Sequence, residues 1–164
     1  MSPYRPALFL GLVLLWTGCA NFSALRPGTP AAQLEQRFGA PETVWKNADG
    51  SEVWEYPGGP LGVETFMITL GPDHAVREVR QVLNDDYVFR IHPGMSREEV
   101  RRLLGRPGET IFFDRRDEEV WSWRYQDAAA RYMILHVVFD RSGGTVRTSF
   151  RIEETPSDGR DDGH

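Results

Sequence analysis

Ile91-His92-Pro93-Gly94-Met95-Ser96-Arg97-Glu98-Glu99-Val100-Arg101-Arg102-Leu103-Leu104-Gly105-Arg106-Pro107 reads as one short helix with both ends written in the sequence. Ser96 can cap it, and Glu99 stands three residues on, so the two can form a capping box that satisfies amides a helix start leaves orphaned. Val100, Leu103 and Leu104 fall on one face at helical spacing, and Gly105 followed by Pro107 supplies the stop. A helix this short is marginal alone, so it must dock on something.

The same pattern occurs 66 residues earlier, as Pro27-Gly28-Thr29-Pro30 through Leu34, Phe38, Gly39 and Pro41. There Thr29 is the expected cap, Pro30 the first helical residue, and Gly39 with Pro41 the stop. A one-residue insertion at about Gly108 carries the match onward: Glu42-Thr43-Val44-Trp45 aligns with Glu109-Thr110-Ile111-Phe112, and Val53-Trp54-Glu55-Tyr56 with Val120-Trp121-Ser122-Trp123. Met67-Ile68-Thr69-Leu70 then answers to His136-Val137-Val138-Phe139, and Val76 to Val146. Such internal similarity predicts two related units.

Four strand-like runs follow each helix. Asn47-Ala48-Asp49-Gly50 and Gly71-Pro72-Asp73-His74 mark turns in the first unit, Arg115-Arg116-Asp117 and Ser142-Gly143-Gly144 in the second. Phe66, Ile68 and Leu70, and again Leu135, Val137 and Phe139, alternate as in a sheet with one face packed on helices. The expected class is α+β: two tandem units, each a helix followed by a four-stranded antiparallel meander. Two such meanders can join into one continuous eight-stranded sheet with helices on one face. The expected units span 25–84 and 90–154, separated by polar Asn84-Asp85-Asp86, which reads as a solvated linker, and followed by a disordered tail at 155–164.

Trp54, Tyr56, Trp121, Trp123 and Tyr125 recur with period two at matching strand positions. Two readings stay open. They can form the sheet face under the helices, or they can line an open face as anchors for a partner protein, with Arg124 at a polar rim.

The segment Ile91 to Val100 with Leu103-Leu104-Gly105-Arg106-Pro107, continued by Trp121-Ser122-Trp123-Arg124-Tyr125 and Val137-Val138-Phe139-Asp140, resembles the signature of the SmpA/OmlA (BamE) family of outer-membrane lipoproteins. That family has one such unit. The tandem arrangement is similar to the β-lactamase-inhibitor-protein fold, whose joined sheet is a concave protein-binding face. The resemblance implies a non-enzymatic accessory of β-barrel assembly, held at the periplasmic face of the outer membrane.

The amino terminus agrees with that setting. Arg5 precedes the apolar run Ala7 to Trp16, too short to cross a ~30 Å hydrocarbon core as a helix and suited to a secretory signal. Thr17-Gly18-Cys19 resembles the lipobox of bacterial lipoproteins, although Trp16 stands where Leu is usual. The resemblance makes 1–18 a signal peptide, Cys19 the lipidation site carrying palmitate-like chains, and 19–24 an anchored linker. An ordinary signal peptide with an incidental Cys is the alternative. Stable anchoring needs at least two acyl chains, at ~0.8 kcal/mol per buried CH₂.

Composition narrows the function further. The 164 residues carry 19 basic and 24 acidic side chains, a net charge of −5, which argues against nucleic acid as a partner. One Cys excludes an internal disulfide framework and a Cys-based zinc site. His74, His92, His136 and His164 show no metal-ligand spacing, and no phosphate loop or serine-nucleophile elbow occurs. No catalytic residue, metal or cofactor is expected. The expected function is a lipid-anchored protein-binding or scaffold module in barrel assembly or envelope integrity, partnered by a barrel-assembly component. The alternative is an inhibitor or chaperone-like binder of a periplasmic or extracellular enzyme, acting through the open sheet face.

Overall fold

A computed structural model of the chain describes residues 21–58 and 62–154. Cys19, the apolar run before it and the tail at 155–164 lie outside the described residues.

The first unit opens with a 3-10 turn at Phe22–Ala24, then helix α1 (Ala31–Phe38) and strands β1 (Thr43–Lys46), β2 (Glu52–Gly58), β3 (Glu64–Leu70) and β4 (Val76–Gln81). The second contains helices α2 (Asp85–Val88) and α3 (Arg97–Leu104), then β5 (Glu109–Phe113), a 3-10 turn at Asp114–Arg116, β6 (Glu118–Gln126), β7 (Tyr132–Asp140) and β8 (Val146–Glu153). Each set of four strands is an antiparallel meander in sequence order.

The α+β class and the two meanders follow the sequence. The continuous eight-stranded sheet does not: β1-β2-β3-β4 and β5-β6-β7-β8 are separate sheets. The cause is α3, which serves both. Val100 and Leu104 sink into a core with Trp123, Tyr125, Leu135, Val137 and Phe139 of the second sheet. The end of the same helix meets the back of the first sheet, where a Cβ on Gly105 would lie 2.7 Å from the Thr65 methyl and 3.0 Å from a Glu55 carboxylate oxygen. With α1 packed through Leu34 on Trp54, Tyr56, Phe66, Ile68 and Leu70, the layers run α1, first sheet, α3, second sheet.

Polar contacts fix this junction. Glu55 is fully buried, and its Oε1 accepts from Arg101 Nη1 at 2.7 Å and from the Arg106 backbone N–H at 2.6 Å. Arg101 also donates to Thr43 Oγ1, Arg106 pairs with Glu42 at 2.7 Å, and Arg102 lies over the Trp45 ring. A buried carboxylate needs such partners, because desolvation costs several kcal/mol otherwise.

Three local expectations change. The capping box of α3 forms as the sequence implies, with Ser96 Oγ accepting from the Glu99 amide and the Glu99 side chain accepting from the Ser96 amide. Thr29 does not cap α1: Pro30 holds the cap position and the Thr29 hydroxyl instead donates to the Arg26 carbonyl at 2.8 Å. The Asn84-Asp85-Asp86 stretch is no solvated linker. It starts α2, whose Val88 enters the second core with Leu83 and Ile91, while Asp85 accepts from the Ala128 amide at 3.0 Å and from Tyr125 and Arg151.

The third change concerns register. Thr43 pairs with Glu55 and Glu109 with Ser122, and the amides of Glu42 and Gly108 donate to the carbonyls of those same partners. The offset of 66 therefore persists through β5, and the extra residue lies in the β5–β6 hairpin rather than at Gly108. A one-residue slip turns every side chain of a strand to the other face. Trp45 thus matches Ile111, not Phe112.

Candidate functional site

The aromatic set faces inward. Trp54, Tyr56, Trp123 and Tyr125 are at most 7% exposed, and half-buried Trp121 packs on Trp123 and Phe139. Their polar atoms do matching work in the two units. Tyr56 Oη donates to the Gly39 carbonyl at 2.9 Å and Trp123 Nε1 to the Gly105 carbonyl at 3.2 Å, so each pins the glycine that ends its unit's helix. Trp54 and Trp121 donate to the carboxylates of Glu52 and Glu119, two residues before them. Burial, with the Glu35 charge nearby, pushes the Tyr56 phenol up to about 12. Burial also raises Tyr125, against the opposing pull of its hydrogen bond with Arg151. These five side chains hold helices to sheets and offer little surface to a partner.

Of the aromatic and arginine residues proposed as partner-binding, Arg124 alone stands on the opposite side of the second sheet, paired with Glu154 at 2.5 Å and stacked over Tyr132. Strand register identifies its neighbours there. Glu109, Ile111 and Phe113 of β5, Val120 and Ser122 of β6, Ile134, His136 and Val138 of β7, and Thr148, Phe150 and Ile152 of β8 share that face. At its middle Val120, Ser122 and Val138 are 5–9% exposed, and the exposed apolar side chains lie around them. Ile111, Phe113, Phe150 and Ile152 are 39–50% exposed, which makes this the most concentrated display of large apolar side chains on the second unit. Large exposed apolar patches mark interaction sites in soluble domains.

His136 sits at its centre. Its Nδ1 lies 2.8 Å from Ser122 Oγ and its ring packs at a tilt on Phe150, centroids 4.9 Å apart. A hydroxyl and an aromatic ring hold the imidazole in place on this face. Among the described residues no three His, Cys, Asp or Glu side chains converge as metal ligands.

One signal in the sequence pointed to this face. Strand β7 is apolar at Ile134 and Val138 as well as at Met133, Leu135, Val137 and Phe139, and a strand apolar on both sides is one built to be covered on both. The β5 side chains are harder to read, because aligning Val44 with Ile111 and Trp45 with Phe112 is one residue out of the observed register.

A second apolar feature lies on the helix side of the first sheet. Phe22 stacks on Phe38 at 4.0 Å and on Phe66 at 4.5 Å, so the segment 19–24, expected to be a lipid-anchored linker, is also docked on the first core at Phe22. Phe22, Leu25, Phe66, Val76 and Val79 line a groove of about 520 Å³ there.

Residues 81–148 match the outer membrane protein assembly factor BamE domain, a stretch that begins ahead of α2 and ends within β8. No curated protein matches in sequence. Among solved structures, a candidate beta-lactamase inhibitor protein from Streptococcus mutans aligns over 76% of this chain and 83% of its own at 17% identity, with a TM-score of 0.30. A DUF4309 family protein from Bacillus subtilis aligns over 77% and 78% at 16% identity and a TM-score of 0.26. An extracellular protein containing an SCP domain from Bacillus anthracis aligns over 77% of this chain but 43% of its own, at 14% identity and a TM-score of 0.29. The second unit is BamE-like; the structural likenesses are too distant to carry function.

Proposed function

We propose that this chain is a lipid-anchored, non-enzymatic protein-binding module of the outer membrane, acting at its periplasmic face in the assembly of outer-membrane proteins. The observation that carries this reading is the match of residues 81–148 to an outer-membrane assembly factor domain, joined to an uncovered apolar sheet face in that same stretch. Two units with the same helix-and-meander order and the same pinned glycines support a tandem repeat of one module. Cys19 is the proposed attachment point. With Phe22 docked three residues later, the tether spans at most ~10 Å, which holds the Phe22 end of the first unit near the bilayer.

The inhibitor-like alternative has no specific observation in its favour. Lipidation and partner binding are tested together by purifying the wild-type chain and Cys19→Ser from solubilised envelope. Wild type should carry an acylated N-terminal cysteine by mass spectrometry and should retain an outer-membrane assembly protein. An unmodified Cys19, or a protein set identical to that of a mock purification, overturns the proposal.

A further inference from the structure

The uncovered face of the second sheet matches, position by position, a face of the first sheet that is covered. Register pairs Ile111 with Trp45, Ser122 with Glu55, His136 with Met67, Ile134 with Thr65, Val138 with Thr69, Phe150 with Arg80 and Ile152 with Val82. On the first sheet, the end of α3 lies across this face, and Glu55, Thr65, Met67 and Val82 are at most 2% exposed. Among the described residues no helix follows β8 to do the same for the second sheet. Its face is nevertheless the more apolar of the two, since Ile134, Val138 and Phe150 stand where the covered face has Thr65, Thr69 and Arg80, against one exchange the other way, His136 for Met67.

From this we infer that the open face of the second sheet seats an amphipathic helix from a different protein, laid as α3 lies on the first sheet. The inference deepens the protein-binding reading and rests on it. Apolar side chains of the helix pack on Ile111, Ile134, Phe150 and Ile152, a mode of recognition common among helix-in-groove complexes. Charge selects the flank. Arg101 of α3 reaches Thr43 at the junction, and the position matching Thr43 holds Glu109, whose carboxylate has no ion-pair partner among the described residues. A basic residue of the incoming helix pairs there.

Neither α1 nor residues 155–164 is suited to be that helix. In α1 the position matching Arg101 is Glu35, which would set a like charge against Glu109, and the uncovered side of α1 carries Gln33 and Gln36 instead of an apolar stripe. Residues 155–164, Thr-Pro-Ser-Asp-Gly-Arg-Asp-Asp-Gly-His, hold no large apolar side chain.

The test uses the full chain in mild detergent and three fluorescent 20-residue peptides: a helix with a leucine stripe flanked by one Arg, the same helix with Glu for that Arg, and a peptide of the first composition with its leucines scattered. The Arg helix should bind at least fivefold more tightly than the Glu helix and the scattered peptide. Phe150→Asp should abolish this binding while leaving the thermal midpoint within a few degrees, because the ring is half exposed. Glu109→Arg should reverse the preference between Arg and Glu helices, a response that micelle partitioning cannot mimic. Equal binding of all three peptides, or binding untouched by Phe150→Asp, overturns the inference. So does a dimer of the chain by itself that Phe150→Asp dissociates, because the face would then belong to a second copy. None of these outcomes depends on Cys19 acylation or on which protein is retained in the envelope purification, so the two proposals fail separately.

Discussion

Glu55 is the residue on which the relation between the units turns. Its Oε1 takes two hydrogen bonds from the second unit, while its buried Oε2 has no partner, so Arg101 supplies the main compensation for a carboxylate removed from water. Arg101→Met should therefore destabilise the chain by roughly 3 kcal/mol, the usual cost of stranding one member of a buried pair. Replacing both, as Glu55→Met with Arg101→Met, should recover most of that loss, because well-packed apolar side chains often substitute for a buried ion pair. Denaturant unfolding of the single and double variants measures the coupling; a strictly additive result would show that the two side chains do not act as a pair. Nothing in the sequence marked Glu55 for this role. Its neighbours Trp54 and Tyr56 read as strand, but burial of the acid depends on a helix that arrives 46 residues later.

At the scale of elements, the two helix stops separate what is local from what is tertiary. Gly39 and Gly105 share a backbone conformation, φ +83° and +80°, which side chains other than glycine rarely adopt. A Cβ at Gly39 would meet open space, whereas one at Gly105 would collide with Thr65 and Glu55. Gly39→Ala should cost about 2 kcal/mol, the strain of a side chain at φ +83°, ψ −177°, a backbone region used almost only by glycine. Gly105→Ala should cost at least twice that and should also speed amide exchange along β2 and β3, since the junction must open; equal costs at the two sites would deny α3 its place between the sheets. The helices, their stops and the meanders were legible because caps, glycines and alternation act over a few residues. The register of β5 was not, because conserving the letters Glu-Thr-Ile/Val across the two units outweighed the hairpin tip where the extra residue lies. The docking of α2 was likewise hidden, since acidic Asp85 and Asp86 suggest solvent until Tyr125 and Arg151 are brought beside them.

For the whole molecule, the four-layer order explains why the aromatic residues and the interaction surface are different sets. The sequence left open which way Trp54, Tyr56, Trp121, Trp123 and Tyr125 face; the stack turns them to the helices and leaves Ile111, Phe113, Phe150 and Ile152 outward at the end remote from α1. A surface of this kind suits a module that presents one sheet face while its opposite end is tied down. Hydroxyl-radical footprinting with mass spectrometry tests this division most directly. Phe150 and Ile152 should be oxidised readily, and Trp123 and Tyr125 should be protected at least tenfold relative to the denatured chain despite their higher intrinsic reactivity. Rapid oxidation of Trp123 together with protection of Phe150 would contradict it, because the aromatics would then form the open face and the second sheet would be covered on the side described here as bare.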